Sequence, residues 1–274
     1  MVCRPFPIPD PRSLIPLITL LLLLLSSLGR AYDIPETLHY RLEWMGIGIG
    51  KSALETASRE GGVEIVSSVW SAAWTAPFYR VDDFEVSWLD ETAEGFVQQG
   101  YGKSLLEGPL QVKRAISLDR EGRLIRHVNL LTGVEYHFPL EGTVWDPVAM
   151  MFHLRRLPLE LGDTLEVALL DNDRPTPVRV EVVRRERVET PAGAFDTLVL
   201  VSSSALNTEG LFYARGTLTV WLTDDARKLP VRLEKRIPGL FAQGVPGFLL
   251  GLLPGGEEGT PRAETIRAEL TSDK

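Results

Sequence analysis

Two histidines ten residues apart, His127 and His137, flank the turn residues Leu131-Thr132-Gly133. A three-residue loop there pairs position 127 with 137 and 129 with 135, which predicts His127, His137, Asn129 and Glu135 on one sheet face. Two imidazoles and a carboxylate make a zinc-ligand set with an open position. The alternate residues Val128, Leu130, Val134 and Tyr136 then read as the core side of the same hairpin, so the simpler reading of the polar set is a solvated face. Asp146 and His153 stand seven apart on a segment of helical pattern and face the same way, an acid–histidine pair that still needs a nucleophile from elsewhere. No Gly-x-Ser-x-Gly elbow exists to supply one, and Ser202 to Ser204 end a strand pattern as edge residues. Asp224 and Asp225 lie between two strand patterns, where Asp side chains bond nearby backbone N–H groups in a turn. Gly46-Ile-Gly-Ile-Gly-Lys-Ser52 ends like a phosphate loop, but the spacing puts Met45 where the first glycine belongs, and a glycine-eased bend or close backbone approach is the expected role.

The elements that must position these residues are mostly strands. Period-two alternation recurs at Leu38, Tyr40, Leu42 and Trp44, at Val63, Ile65 and Val69, at Phe84, Val86 and Trp88, and at Leu110, Val112, Ile116 and Leu118. Each set reads as a strand with one buried face. Glu60-Gly61-Gly62, Glu94-Gly95 and Asp119-Arg120-Glu121-Gly122 separate them as hairpin turns, so the sheet is expected to be antiparallel. One helix is predicted at about 146–157, with Asp146 as N-cap, Pro147 at the first helical position and a stop before Pro158. Met150, His153, Leu154 and Leu157 share a face of it. Strands resume after the helix, with a turn at Asp171-Asn172-Asp173 and a last strand ending near Leu270.

Two apolar stretches stand outside this pattern. The run Leu14 to Leu28 follows Arg4 and Arg12 and ends at Gly29-Arg30-Ala31, the order of a secretory signal peptide with cleavage expected near Ala31. The only cysteine, Cys3, precedes the run, so the remaining residues 32–274 are expected to be one disulfide-free, β-rich domain. Removing residues 1–31 takes Arg4, Arg12, Arg30 and Asp10 from totals of 29 basic and 37 acidic residues, which makes the remainder more acidic. With no basic stretch interleaved with aromatics, nucleic acid is excluded as a partner. The second stretch, Ile237 to Gly256, has no charge but carries prolines at 238, 246 and 254 and six glycines. That composition argues against a membrane-spanning helix and for a loop or apolar flap over the sheet.

Several segments, taken in order, resemble the domain of unknown function 3108 family of exported bacterial proteins. They are Trp145-Asp146-Pro147 through Leu159 and Gly162-Asp163, Thr190-Pro-Ala-Gly-Ala-Phe-Asp-Thr197, and Trp221 through Val231, with Tyr40 to Gly50 fitting as well. The resemblance implies a secreted, mostly antiparallel β protein and brings no catalytic residues. The Trp-x-Thr-Asp-Asp-x-x-x-Leu-Pro-Val-Arg piece, Trp221 to Arg232, also looks like the strand–turn–strand of periplasmic lipoprotein carriers, whose curved sheet holds acyl chains. The expectation is therefore a strongly curved antiparallel sheet or open β-barrel, with the helix and the flap closing it. Its role is expected to be a non-enzymatic periplasmic binding or scaffold protein, without cofactor, whose partner is a lipid, a lipidated chain or another envelope component. Phe241, Phe248, Leu249 and Leu252 in the flap are the candidate ligand contacts. The rival reading is an envelope hydrolase using His153 with Asp146, or a metal enzyme at His127, His137 and Glu135.

Overall fold

Turn chemistry divides the chain into antiparallel strands that pair with their sequence neighbours. The computed structural model describes residues 34–170, 174–202, 216–237 and 264–273. The readings on residues 1–31, on Asp171-Asn172-Asp173, on Ser203 and Ser204, and on the flap with Phe241, Phe248, Leu249 and Leu252 lie outside the described residues.

The first half of the sheet comprises β1 (Glu36–Trp44), β2 (Ile47–Arg59), β3 (Gly62–Ser71), β4 (Asp82–Thr92), β5 (Gly95–Glu107), β6 (Leu110–Asp119), β7 (Leu124–Asn129) and β8 (Glu135–Pro139). The second comprises β9 (Val144–Trp145), β10 (Thr164–Leu169), β11 (Thr176–Thr190), β12 (Gly193–Ser202), β13 (Thr217–Thr223), β14 (Pro230–Ile237) and β15 (Glu264–Asp273). Among the described residues these fifteen strands form one sheet in the order β8 to β1, then β15 to β9. Strands β1 to β8 and β10 to β15 are each meanders, and the halves join where β1 pairs with β15. The sheet is large and curved but not closed. All described neighbours are antiparallel except β9 and β10, which flank the helix α1 (Pro147–Arg156) and pair in parallel.

Helix α1 starts where the sequence places it. The Asp146 carboxylate accepts from the Val148 and Ala149 amides at 2.8 Å each, and Pro147 supplies a fixed φ at a position whose N–H has no helical partner. The helix ends at Leu157, before Pro158. Val148, Ala149, Met150, Met151, Phe152 and Leu154 are all buried, so nearly the whole circumference is apolar and enclosed. The helix fills the concave side of the sheet, packing with Val63, Ile65, Leu89, Tyr101, Leu198 and Leu222 in the larger apolar cluster. A smaller cluster gathers at the seam, around Leu38, Tyr40, Leu42, Trp221, Val231 and Leu270.

Arg155 ties helix to seam. Its guanidinium donates to Glu36 on β1 through Nη1 at 2.7 Å and Nη2 at 3.0 Å, and its Nε donates to the Arg227 carbonyl at 3.2 Å. Both charged side chains are enclosed, at 1% and 2% exposure.

Close strand approach explains two glycines. A Cβ at Gly62 would lie 1.9 Å from the Leu89 carbonyl oxygen, and one at Gly50 would lie 2.3 Å from that of Trp70. A Cβ at Gly48 meets nothing within 4 Å. Gly62→Ala is therefore expected to cost about 1–3 kcal/mol, a fall of several degrees in melting temperature. Gly48→Ala is expected to stay within about 0.5 kcal/mol of the parent in the same thermal scan.

Candidate functional site

The inner face of β4 is acidic, which inverts the reading of Phe84 and Trp88 as its buried side, while Val86 is buried as read. Asp83, Glu85, Ser87 and Leu89 point into the core, while Phe84 is 47% exposed. The inversion has a packing cause. Val86 and Trp88 stand opposite Gly102 and Gly100 of β5, and their side chains lie over these glycines on the outer face, within contact distance of where a Cβ would sit. The Trp88 indole also donates to Glu64 at 2.8 Å. The aromatic ring thus covers bare backbone instead of entering the core.

On β5, Gln98, Tyr101, Lys103, Leu105 and Glu107 are buried. Register sets Glu85 opposite Lys103, and Lys103 opposite Arg114 on β6. The Tyr101 hydroxyl donates to Glu85. Asp83 and Glu107 are hydrogen-bonded to each other, and the Leu106 amide donates to Asp83 at 3.0 Å. Burial first, then the charge of Glu107, pushes the Asp83 carboxyl up to about 8. Tyr79, in the β3–β4 connection, is pushed up to about 12 by burial and the same two acids.

These acids form one wall of a cavity of about 150 Å³ between helix and sheet. The remaining lining is mainly apolar, with Leu42, Leu54 and Val69 from the first half-sheet, Leu218 and Leu233 from the second, and Met150 and Met151 from the helix. An apolar cavity of about this volume holds a benzene-sized guest. Because it lies at the seam, residues from both halves and from the helix line it. No single stretch of sequence announces it.

The candidates drawn from the sequence fall in other places. Asp146 is fully enclosed: besides the two helix amides it accepts from the Ser87 hydroxyl at 2.6 Å and from the Gln98 amide, and its own N–H donates to Gln98 Oε1 at 2.6 Å. Burial pushes its carboxyl up to about 7, against the pull of these donors. His153 stacks on Trp145 with ring centroids 4.3 Å apart, and burial, with Arg156 nearby, lowers its pKa. The acid caps the helix and the imidazole packs on an indole; the two do not act on a common point.

The His127 hairpin is one position out of the expected register. The Asn129 amide donates to the Val134 carbonyl at 2.9 Å and the chain turns through four residues, 130–133, so His127 stands opposite Tyr136, and Arg126 opposite His137. The Asn129 side chain stabilises the longer loop by accepting from the amides of Leu131 and Thr132. A one-residue shift exchanges faces. His127 is accordingly buried beside Tyr136, whereas His137 is exposed and bonded to Glu135, which also holds Arg126 in a two-pronged ion pair. Leu130, Val134 and Tyr136, read as core, are exposed. Among the described residues no three His, Cys, Asp or Glu side chains are grouped to hold a metal.

Asp225 accepts from the Thr223 hydroxyl and from the amides of Arg227 and Lys228, and Asp224 pairs with Arg185, so the two acids shape a turn. Gly46 takes a positive φ beside Met45 in the β1–β2 hairpin, and Gly50 is the close approach described above. No described helix is long and apolar enough to cross a membrane.

Residues 39–239 match the family model "Protein of unknown function (DUF3108)". Among solved structures, the chain resembles a β-barrel-like protein of the domain of unknown function DUF1849 from Brucella abortus, with TM-score 0.50 and 12% identity over 87% of this chain and 96% of that one. A candidate lipoprotein from Parabacteroides distasonis aligns with TM-score 0.32 and 12% identity over 90% and 98% of the two chains. No curated protein matches. The first likeness supports the barrel-like curvature of the sheet and nothing about chemistry.

Proposed function

This chain belongs to the DUF3108 family of proteins of unknown function, and from that premise we propose that it is an exported, non-enzymatic binding or scaffold protein whose cavity takes one end of an apolar ligand, a lipid or a lipidated chain. The observation that carries the reading is the cavity itself, set between helix and sheet and lined mainly by apolar side chains. Export rests on the sequence, with its basic start, the run Leu14 to Leu28, and small residues flanking Arg30. Access to the cavity has a natural place. Leu233 and Ala268, paired across β14 and β15, line it, and four positions along the same ladder Ile237 pairs with Glu264. The sheet positions that bracket residues 238–263 therefore lie near the cavity, which supports Phe241, Phe248, Leu249 and Leu252 as the proposed flap contacts.

Two measurements test this. Organic extraction and mass spectrometry of protein purified from its native envelope are expected to yield a co-purifying apolar molecule. The neutral fluorophore N-phenyl-1-naphthylamine is expected to bind, and Ala268→Leu, which places extra carbons in the cavity, to weaken it about tenfold. No extracted ligand together with no probe binding would overturn the reading.

A further inference from the structure

Alternate connections of an antiparallel meander lie at the same end of the sheet. In the first half-sheet the β1–β2, β3–β4, β5–β6 and β7–β8 connections therefore share one end, and the β2–β3, β4–β5 and β6–β7 turns share the other. The two ends differ in chemistry. The second set carries Glu60, Glu94, Arg120, Glu121 and Arg123, all exposed. The first set exposes Trp74 and Phe78 in the β3–β4 connection, Leu110 at the start of β6 and Leu130 in the β7–β8 turn. On the outer face of the adjoining strands, Trp70 stands opposite Asp82 and Phe84 opposite Ser68, so the two exposed rings are diagonal neighbours. The connection presents its rings from a fixed base: the Thr75 hydroxyl donates to the Ala72 carbonyl at 2.9 Å, the Phe78 and Tyr79 amides donate to the Thr75 carbonyl, and the Trp74 indole donates to the Gly48 carbonyl at 3.0 Å. Lysines flank the strand pair. Lys51 on β2 stands opposite Trp70, and Ser104, opposite Phe84, stands in turn opposite Lys113 on β6. Both lysines are exposed, and the acid beside Trp70, Asp82, is held by Arg80 at 2.7 Å.

We propose that this end of the first half-sheet docks on an anionic bilayer surface, with Trp70, Trp74, Phe78 and Phe84 in the interfacial layer and Lys51 and Lys113 reaching the lipid phosphates. Indole rings favour the boundary between head groups and acyl chains, because one edge is polar and the rest apolar. Lysine stems lie along apolar surface while their ammonium groups stay among the head groups, and each adds attraction to an anionic leaflet. A second copy of the chain suits the surface less well. Two molecules of net charge −8 repel each other, whereas at an anionic membrane the same acidity turns the charged end away and leaves the lysine-flanked end facing the lipid. Val69 and Asp83, which pair one position inward from Trp70 and Asp82, line the cavity, so the docked end is also the end nearest to it. Docking does not depend on what the cavity holds.

The test is flotation of the protein, purified from its native envelope, with vesicles of equal parts phosphatidylglycerol and phosphatidylcholine and with vesicles of phosphatidylcholine alone. Parent and variants share every residue outside the patch, so residues 1–31 and 237–256 weigh equally on each comparison. The parent is expected to float with the anionic vesicles and less with the neutral ones. Trp70→Ser with Phe84→Ser is expected to weaken partitioning about tenfold, and Trp74→Ser with Phe78→Ser, on the connection instead of the strands, by as much. Lys51→Gln with Lys113→Gln is expected to weaken it about tenfold at low salt and little at high salt. Leu161→Ser, an equally exposed leucine at the start of the turn into β10 and away from this end, is expected to change nothing. All these side chains but the lysines are read as exposed apolar groups, so urea midpoints near the parent value are expected and show that the variants fold. Absence of flotation by the parent, flotation that neither aromatic pair weakens, or equal flotation with both kinds of vesicle would overturn the proposal. A parent that sediments as a dimer, made monomeric by the aromatic variants and never floating, would overturn it in favour of a second copy. Each of these results leaves the cavity reading standing, because binding of N-phenyl-1-naphthylamine is measured without vesicles.

Discussion

Arg155→Ala is expected to lower the free energy of unfolding by about 3–5 kcal/mol, the cost of leaving one half of an enclosed ion pair without the other. Glu36 is 2% exposed, and both of its oxygens accept from Arg155. Arg227 reaches Glu36 Oε1 only at 3.4 Å and is itself drawn to Asp273 at 2.9 Å, so it offsets part of the loss at most. The same substitution cuts the Arg155 link to the Arg227 carbonyl, loosening the β13–β14 turn from the helix. Urea unfolding measures this as a lower midpoint with unchanged slope. Removing both partners together, as Arg155→Met with Glu36→Leu, is expected to recover most of the loss, because two apolar side chains of similar volume need no partner. A double variant no more stable than Arg155→Ala would show that the pair is favourable in its own right.

The second large effect is expected at Asp146. Alanine there removes a helix cap worth about 1 kcal/mol and leaves the Ser87 hydroxyl and Gln98 amide as enclosed donors without acceptor, about 1–3 kcal/mol each, for a total of about 3–7 kcal/mol. Asp146→Asn keeps an acceptor for the helix amides and is expected to cost about 1 kcal/mol. The two variants also differ with pH. Because burial pushes the Asp146 carboxyl up to about 7, the folded parent holds a proton that the unfolded chain gives up, and its stability falls as pH rises from about 4 to about 7. The gap between parent and Asp146→Asn is therefore expected to narrow across that window in urea titrations at several pH values. A gap that widens instead would mean that the four donors keep the carboxylate ionised in the fold.

How far the sequence reaches can be judged at particular residues. The alternation at Leu38, Tyr40, Leu42 and Trp44 gives the buried face of β1, since all four are enclosed, and Asp146-Pro147 marks the helix start to the residue. These are local signals: period, cap and turn chemistry need no knowledge of what lies opposite. The inner face of β4 is different. Phe84, Val86 and Trp88 outrank Asp83, Glu85 and Ser87 in hydrophobicity, yet of the three only Val86 is buried, and the glycines of the neighbouring strand explain why this set packs on the outer face. Gly100 and Gly102, two apart on the next strand, were the available clue. The histidine hairpin failed on loop length, because the Asn129 side chain holds a longer turn and moves the register by one. The cavity and the Glu36–Arg155 pair were beyond local reading altogether. The ion pair joins positions 119 apart, and the cavity wall gathers strands from both ends of the chain.

The seam between β1 and β15 governs the order in which the molecule can assemble. Within each meander, partners are close in sequence and find each other quickly, whereas Arg41 and Glu269 across the seam are 228 residues apart. Closing so long a span carries an entropy cost that neighbouring hairpins avoid, so contacts at the seam form last. Until they do, each half-sheet ends in an open strand, β1 or β15, carrying Leu38, Tyr40, Leu42 or Ala268 and Leu270 outside any core. Such edges invite pairing with another copy of the chain. The strand pair at the centre of the finished sheet is thus also where a half-folded molecule is most prone to aggregate.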